Sequence, residues 1–275
     1  MKIGILYLCT GKYTVFWPEF YKNFEKNFLP GCPKTYLVFT DAPQIAHEAE
    51  PNVRRIEQEA LPWPYSTMER FRIFLTREQE LREFDYLFYA NANLECRGPI
   101  LPEEILPRGG RETLVAVCHL PYYGKPPRFH PYDRNPRSRA CIPYNCGQYY
   151  VAGGLNGGQA GSYLALCREL ARRTQEDLDH GVIARQHDES QLNRMVAEHP
   201  EWFRILGPEF CVPEETPVPN ERIRVLQKNR FLDVSAVKGS SPPKNFIQRK
   251  WEAFRLNWLP YLWWARDTLL HKTLK

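Results

Sequence analysis

Strand-length apolar runs alternate with helix-period segments along most of this chain, and that alternation admits few folds. Ile3–Cys9 reads as a buried strand, and Trp17–Phe28 as an amphipathic helix with Pro18 in its first turn. Tyr36–Phe39 is a second buried strand, closed by Thr40-Asp41-Ala42-Pro43. Met68–Arg82 is helical, with Phe71, Phe74, Leu75 and Leu81 on one face, and Asp85–Ala90 is the next strand. This order predicts an α/β fold with a mostly parallel central sheet and ligands at the carboxyl ends of its strands. Positions 10 and 91 are two such ends.

Leu114–Cys118 predicts a further strand, followed by a Pro- and Tyr-rich loop over 119–147 that is long enough to serve a ligand. Tyr149–Ala152 leads into paired glycines, and a helix over 162–173 follows. After 187–190 another helix turns Leu192, Met195 and Val196 inward. From Pro208 the chain reads as irregular, broken by Pro213, Pro217, Pro219, Pro242 and Pro243. The expected organisation is a single Rossmann-like domain over 1–235 and a basic, aromatic, amphipathic tail over 236–275.

With 275 residues, 43% of them apolar, the chain can bury a full core and is not a disordered protein. No apolar run reaches the ~18 residues that span a bilayer. Met1–Cys9 is too short for a signal peptide and is better read as a first strand. A cytoplasmic protein is expected, in peripheral contact with the inner membrane. The eight cysteines form no CxxC pair, which argues against zinc and for reduced thiols. The net charge of +5 equals the excess of residues 242–275 alone, where seven Lys and Arg face two acids (7 − 2 = 5). The body is therefore near neutral, and a nucleic-acid partner is not expected.

Three stretches carry chemistry. Asn91-Ala92-Asn93 ends a strand where two carboxylates would hold a hard divalent cation, but amides supply only neutral oxygens. Alone, it also reads as a polar turn. Gly153-Gly154-Leu155-Asn156-Gly157-Gly158 lets backbone approach a ligand closely, or forms a bulge before a helix. There is no GxGxxG after the first strand and no P-loop. His187-Asp188-Glu189-Ser190 puts adjacent carboxylates at a helix start; Asp188 with Gln191 reads as a capping-box variant, which leaves Glu189 unexplained. The helix terminus favours an anionic Glu189, suited to stabilising or attacking a developing cation. Lys228 and Arg230 would neutralise a diphosphate if folded over the site, or form solvated surface.

Residues 85–93 (Asp-Tyr-Leu-Phe-Tyr-Ala-Asn-Ala-Asn), 149–158 and 187–193 (His-Asp-Glu-Ser-Gln-Leu-Asn) resemble glycosyltransferase family 6, the ABO blood-group and α1,3-galactosyltransferase-like enzymes. Val38-Phe39-Thr40-Asp41, Trp63–Arg70 and Tyr144 match as well, so the resemblance covers about residues 3–230. It is strongest to bacterial members with Asn-Ala-Asn in place of Asp-x-Asp.

The resemblance implies a GT-A fold and a retaining α1,3 transfer of GalNAc or Gal from a UDP-sugar to a galactoside, in bacterial surface glycan synthesis. No cofactor and no metal are expected. Cys9, Thr10 and Tyr13 would meet the nucleotide, and Arg70, Asn91 and Asp188 the donor sugar. Asn93 would stand at the lost metal-ligand position, and Lys228, with Arg230, would replace the metal's charge. Ala152, Gly153 and Gly154 align with the donor-selecting positions, and their small size favours UDP-GalNAc. Glu189 would be the catalytic carboxylate, facing the acceptor alongside His119 and Gln186. Gln186 replaces a usual Trp, and Cys118-His119-Leu120-Pro121-Tyr122 replaces Leu-His-Pro-Gly-Phe, so the acceptor wall is altered. A glycan-binding module with a decayed site, and a metal-dependent transferase using Glu95, are the alternatives.

In the tail, Trp251, Phe254, Trp258, Leu262, Ala265 and Leu269 recur at helical steps, with Arg249, Lys250 and Arg266 off that stripe and Pro260 expected to kink it. Four of the seven tryptophans lie here, which suits an anionic membrane surface presenting a lipid-linked glycan, or a helix docked on the body.

Overall fold

The computed structural model describes residues 1–233, 250–251 and 258–274. Its strands are β1 (Ile3–Leu8), β2 (Lys34–Thr40), β3 (Val53–Glu57), β4 (Tyr86–Ala90), β5 (Leu94–Cys96), β6 (Leu114–Cys118), β7 (Val151–Gln159), β8 (Phe203–Leu206), β9 (Val212–Pro213) and β10 (Ile223–Val225). Seven of them form the central sheet in the order β3-β2-β1-β4-β7-β6-β8, and β5-β10-β9 form a small second sheet. In the large sheet only β7 runs against its neighbours, antiparallel to β4 and β6. The mostly parallel α/β sheet expected from the sequence, consistent with a GT-A fold, is what forms.

The sheet is buried on both faces. On one side α1 (Trp17–Asn27) lays Trp17, Phe20 and Phe24 against Ile3, Ile5 and Tyr7. That spacing is one helical stripe, and Pro18 in the first turn gives up an N–H that has no partner there anyway. On the other side α6 (Ala160–Asp179) and α7 (Asp188–Glu198) cover Leu6, Leu87 and Ala116 with Tyr163, Leu170 and Leu192.

Local signals mislead in four places. The segment read as one helix over 68–82 is three short ones: α2 (Tyr65–Met68), α3 (Arg70–Leu75) and α4 (Glu78–Leu81). The breaks bury Phe71 and Phe74 and also turn Arg70 inward. The glycines at 153–158 form the body of β7 itself, the central sheet's antiparallel strand, so the expected bulge lies inside a strand, with α6 following at Ala160. Gly157 is confined there, because a Cβ would lie 2.4 Å from the Leu87 carbonyl oxygen. The region after Pro208, expected to be irregular, supplies β9 and β10. Pro260 does not kink the C-terminal helix Leu259–Leu269; it sits in its first turn.

One irregularity positions the site. Along β6, Ala116 pairs with Asn156 but the next residue, Val117, pairs with Ala152. Residues 153–155 are thus extra to that ladder, and β7 swells where the glycines meet the strand ends. Among the described residues no helix is long and apolar enough to cross a membrane.

Candidate active site

A cavity of about 520 Å³ opens at the carboxyl ends of β1 and β4, walled by the glycines of β7 and the first turn of α7. Thr10, Tyr13, Arg70, Asn91, Gly153, Gly154, Gln186, Asp188, Glu189 and Lys228, all expected from the sequence, line it. The first turn beyond β1 is fixed by the Gly11 N–H donating to Asp41 Oδ1 at 2.8 Å. Tyr13 stands beside Lys228, whose Nζ lies 5.1 Å from the ring centroid.

Arg70 organises the floor. It donates to the Gly153 carbonyl at 3.0 Å, pairs with Asp188 Oδ2 at 2.9 Å, and stacks 4.1 Å over the Tyr89 ring. The Tyr89 hydroxyl in turn donates to Asn91 Oδ1 at 3.2 Å. Asp188 is 3% exposed, so desolvation dominates: burial pushes its carboxyl up to about 6 against the pull of Arg70. Burial lowers the guanidinium's own pKa most strongly of any one influence, but Asp188, Tyr89, Tyr163 and Glu189 together outweigh it and hold the value up.

Glu189, next along α7, points into the same space. Its Oε2 accepts the Gly153 N–H at 2.8 Å, and its Oε1 accepts the Tyr150 hydroxyl. Burial raises its carboxyl above the usual range, opposed by those two donors, so the environment works against the ionisation expected from the helix terminus alone. A Cβ on Gly153 would sit 3.2 Å from the Glu189 Cβ, tighter than an ordinary contact, so the glycine gives Glu189 its room.

The expected capping box does not form. His187, not Asp188, occupies the cap position, with φ at +52°, a left-handed conformation costly for a side chain this large. Gln191 instead donates to Asp177 at 2.8 Å, and the Gln186 N–H goes to Ser190 Oγ at 2.9 Å. The strained His187 ring meets Trp63 edge-on at 5.3 Å at the cavity wall.

Five expected site residues lie elsewhere. Cys9 is fully buried behind the strand end, and burial pushes its thiol up to about 12. Ala152 is packed in the core beneath the sheet. Asn93 is 2% exposed and faces the chain rather than the cavity: its Nδ2 donates to Leu226 O at 2.6 Å, and the Leu226 N–H returns a bond to Asn93 O at 2.8 Å. Arg230 turns away to pair with Glu214. His119 sits against the Tyr122 and Tyr150 rings, on the far side of the Tyr150–Glu189 bond. Glu95 lies on β5, paired with Arg97 at 2.8 Å, outside the cavity. Asn91 Oδ1 is taken by the Tyr89 hydroxyl, the buried Asn93 Oδ1 is a single neutral oxygen, and Glu95 is elsewhere, so this donor set, without a carboxylate at either asparagine position, is a poor fit to a hard divalent cation. Among the described residues no group of three or more His, Cys, Asp or Glu is placed to hold a metal.

Sequence reasoning missed Lys12, Trp63, Tyr89 and Tyr150 as parts of this arrangement. Tyr89 had a usable signal, since it lies two residues before Asn91 on the same strand face. Tyr150 had none beyond its place in a tyrosine pair.

The family model described as glycosyltransferase family 6 matches residues 1–236. The Escherichia coli O-antigen biosynthesis glycosyltransferase WbnI is 34% identical over 193 residues, 70% of this chain and 81% of that protein. The human globoside alpha-1,3-N-acetylgalactosaminyltransferase 1 is 28% identical over 247 residues, 86% of this chain and 69% of that one. A rat histo-blood group ABO system transferase 2 is 29% identical over 215 residues, covering 76% and 62%.

Proposed function

This chain belongs to glycosyltransferase family 6, and on that premise we propose that it is a retaining α1,3-glycosyltransferase. It moves GalNAc, with Gal the second choice, from a UDP-sugar to a galactoside acceptor without a divalent metal. What carries the reading is Glu189, held in the cavity by Tyr150 and Gly153 beside the Asp188–Arg70 pair. The names of the E. coli and human relatives support a surface glycan product and a GalNAc donor.

The uracil ring lies near Tyr13 and the diphosphate toward Lys228, while Arg70, Asn91 and Asp188 meet the donor sugar. The 3-hydroxyl of the acceptor attacks the anomeric carbon on the face that UDP leaves. Glu189 stabilises the positive charge that develops there, or bonds to that carbon in a two-step transfer. Lys228 is a fixed cation where a metal would otherwise offset the charge on the leaving diphosphate. The neutral amides at 91 and 93, with the Asn91 oxygen already bonded to Tyr89, and the placement of Glu95 outside the cavity support the metal-free form of the mechanism. The acceptor is an oligosaccharide or lipid-linked glycan, reached at the cytoplasmic face of the inner membrane.

UDP release from UDP-GalNAc and from UDP-Gal, with a panel of galactosides and with or without EDTA, tests this. Release undiminished by EDTA is expected. Sugar binding without UDP release leaves a binding module, and abolition by EDTA with rescue by Mn²⁺ restores a metal-dependent mechanism.

A further inference from the structure

The C-terminal helix docks through Asp267 and through Pro260, Tyr261 and Trp263. Asp267, 2% exposed, accepts the Tyr144 N–H at 3.0 Å and pairs with Arg266 at 2.7 Å and Lys272 at 3.1 Å. Asn145 donates to the Lys272 carbonyl at 2.9 Å, and Trp263 rests against the Tyr144 ring. Of the apolar stripe anticipated from the sequence, Trp258 (65% exposed), Leu262 (63%) and Leu269 (78%) face outward, and Leu270 beside them is 61% exposed. Trp251 is exposed too, while Phe254 and Arg249 lie outside the described residues. Four large apolar side chains facing solvent at one end of a chain is the pattern of a surface that is covered in use.

Beside this helix lies a cavity of about 790 Å³, bordered by Leu270 and Lys272 of the helix end, by Arg134, Arg137 and Arg139 of the long loop, and by Arg194 of α7. Seven Arg and Lys side chains line it; Arg139, Arg173, Arg194, Arg266 and Lys272 are paired with the four carboxylates of Glu169, Glu176, Glu198 and Asp267, a local excess of three (7 − 4 = 3). Arg134 and Arg137 have carbonyl partners only: Arg134 donates to Ile142 at 2.6 Å and Pro127 at 2.9 Å, and Arg137 to His180 at 3.0 Å. Arg134 is deep enough that burial lowers it to about 10, which a nearby anion would reverse. Beyond the residues already counted, 242–275 holds five more basic residues against one acid.

We propose that this face docks on an anionic phospholipid bilayer, with a lipid headgroup phosphate in the Arg134–Arg137 cavity and Trp258, Leu262, Leu269 and Leu270 entering the interfacial layer. Apolar side chains next to a hollow with a net basic excess, in which Arg134 and Arg137 are held by carbonyls, match the two layers of such a surface, acyl chain and phosphate. A second copy of the chain would cover the leucines but would bring the same positive charge against the cavity. The inference rests on the proposed use of a membrane-presented acceptor, and its test is separate from sugar transfer.

The full chain is sedimented with phosphatidylcholine vesicles, alone or mixed with phosphatidylglycerol. Binding is expected to the mixed vesicles, weakening as salt rises. Leu262→Ser with Leu269→Ser removes it, and Arg137→Gln with Arg139→Gln weakens it about tenfold on mixed vesicles only, since each cation adds to surface attraction. UDP release toward a soluble galactoside stays at the parent level in both double variants, which reports intact folding. Equal binding to neutral and anionic vesicles, or none to either, overturns the proposal. So does capture of free inorganic phosphate without vesicle binding, or a dimer abolished by the leucine substitutions. Lipid binding in a protein that releases no UDP removes the transferase reading and leaves this surface standing.

Discussion

Asn93 and Leu226 hold each other by two hydrogen bonds across 133 positions of chain, one from the Asn93 amide and one from the Leu226 backbone. The bonds tie the segment leading to Lys228 onto the end of the strand that carries Asn91. Asn93→Ala should therefore lower stability by about 1–2 kcal/mol, the cost of leaving a buried carbonyl without its donor. It should also raise the KM for the UDP-sugar as Lys228 loses its anchorage. Asn93→Asp should be worse, because a carboxylate would face the Leu226 carbonyl, and Mn²⁺ should not restore it. Thermal unfolding and donor kinetics of the two variants check both statements; activation of the aspartate variant by Mn²⁺ would count against the role given to Lys228.

Glu189→Gln should reduce kcat by roughly a hundredfold to a thousandfold, as expected for loss of one preorganised charge at the reacting carbon. Its amide can still accept one of the two hydrogen bonds that the carboxylate receives, so the fold and UDP affinity should persist. UDP binding by calorimetry alongside turnover separates these effects. Near-parental turnover would remove Glu189 from the chemistry.

Activity should fall as pH drops through about 6, where Asp188 takes up a proton and Arg70 loses its partner. Stability should respond with the opposite sign. The folded carboxyl titrates near 6 and the unfolded one near ~3.9, so the folded state holds the extra proton between them, and this group's contribution to stability declines as pH rises across that window. In Asp188→Asn the acid limb of kcat/KM should vanish while overall activity drops. An unchanged limb in that variant would assign the titration to another group.

The two cavity glycines should differ. A methyl on Gly154 meets Asn91 Cβ at 3.6 Å, an ordinary contact, so Gly154→Ala should fold normally and shift donor preference from UDP-GalNAc toward UDP-Gal by about tenfold, the scale of a small steric change. A methyl on Gly153 crowds the Glu189 Cβ at 3.2 Å, so Gly153→Ala should displace that side chain and lower activity with either donor. Competing the two donors in one reaction, with the ratio of products read for each variant, checks this.

The frame of the molecule was legible because β1, β4 and β6 are apolar runs of the right length and α1 carries a clean stripe. The carboxylate pair was legible because two adjacent acids at a helix start exceed what capping requires. Partnerships were not. Arg70 and Asp188 are 118 positions apart, and nothing local to either announces the other. β3 offers only Val53 and Ile56 as apolar signals, fitting a sheet edge, and β9 and β10 are two and three residues long. β7 was obscured because glycine is a poor strand former in isolation; here it is required where neighbouring backbone approaches closely. The outward stripe of the last helix could not be oriented from its period, since periodicity shows that a face exists and not what covers it.

The swelling of β7 separates two duties that a strand ordinarily combines. Its flanks keep their rungs with β6 at Ala152 and Asn156, while the three residues between carry no rung on that side. If position 154 selects the donor as proposed, it can be retuned for one sugar or another without disturbing how the sheet assembles, whereas a side chain at 153 crowds Glu189. A lineage changing the sugar it transfers would then have one inexpensive residue to alter here, set beside a tighter one.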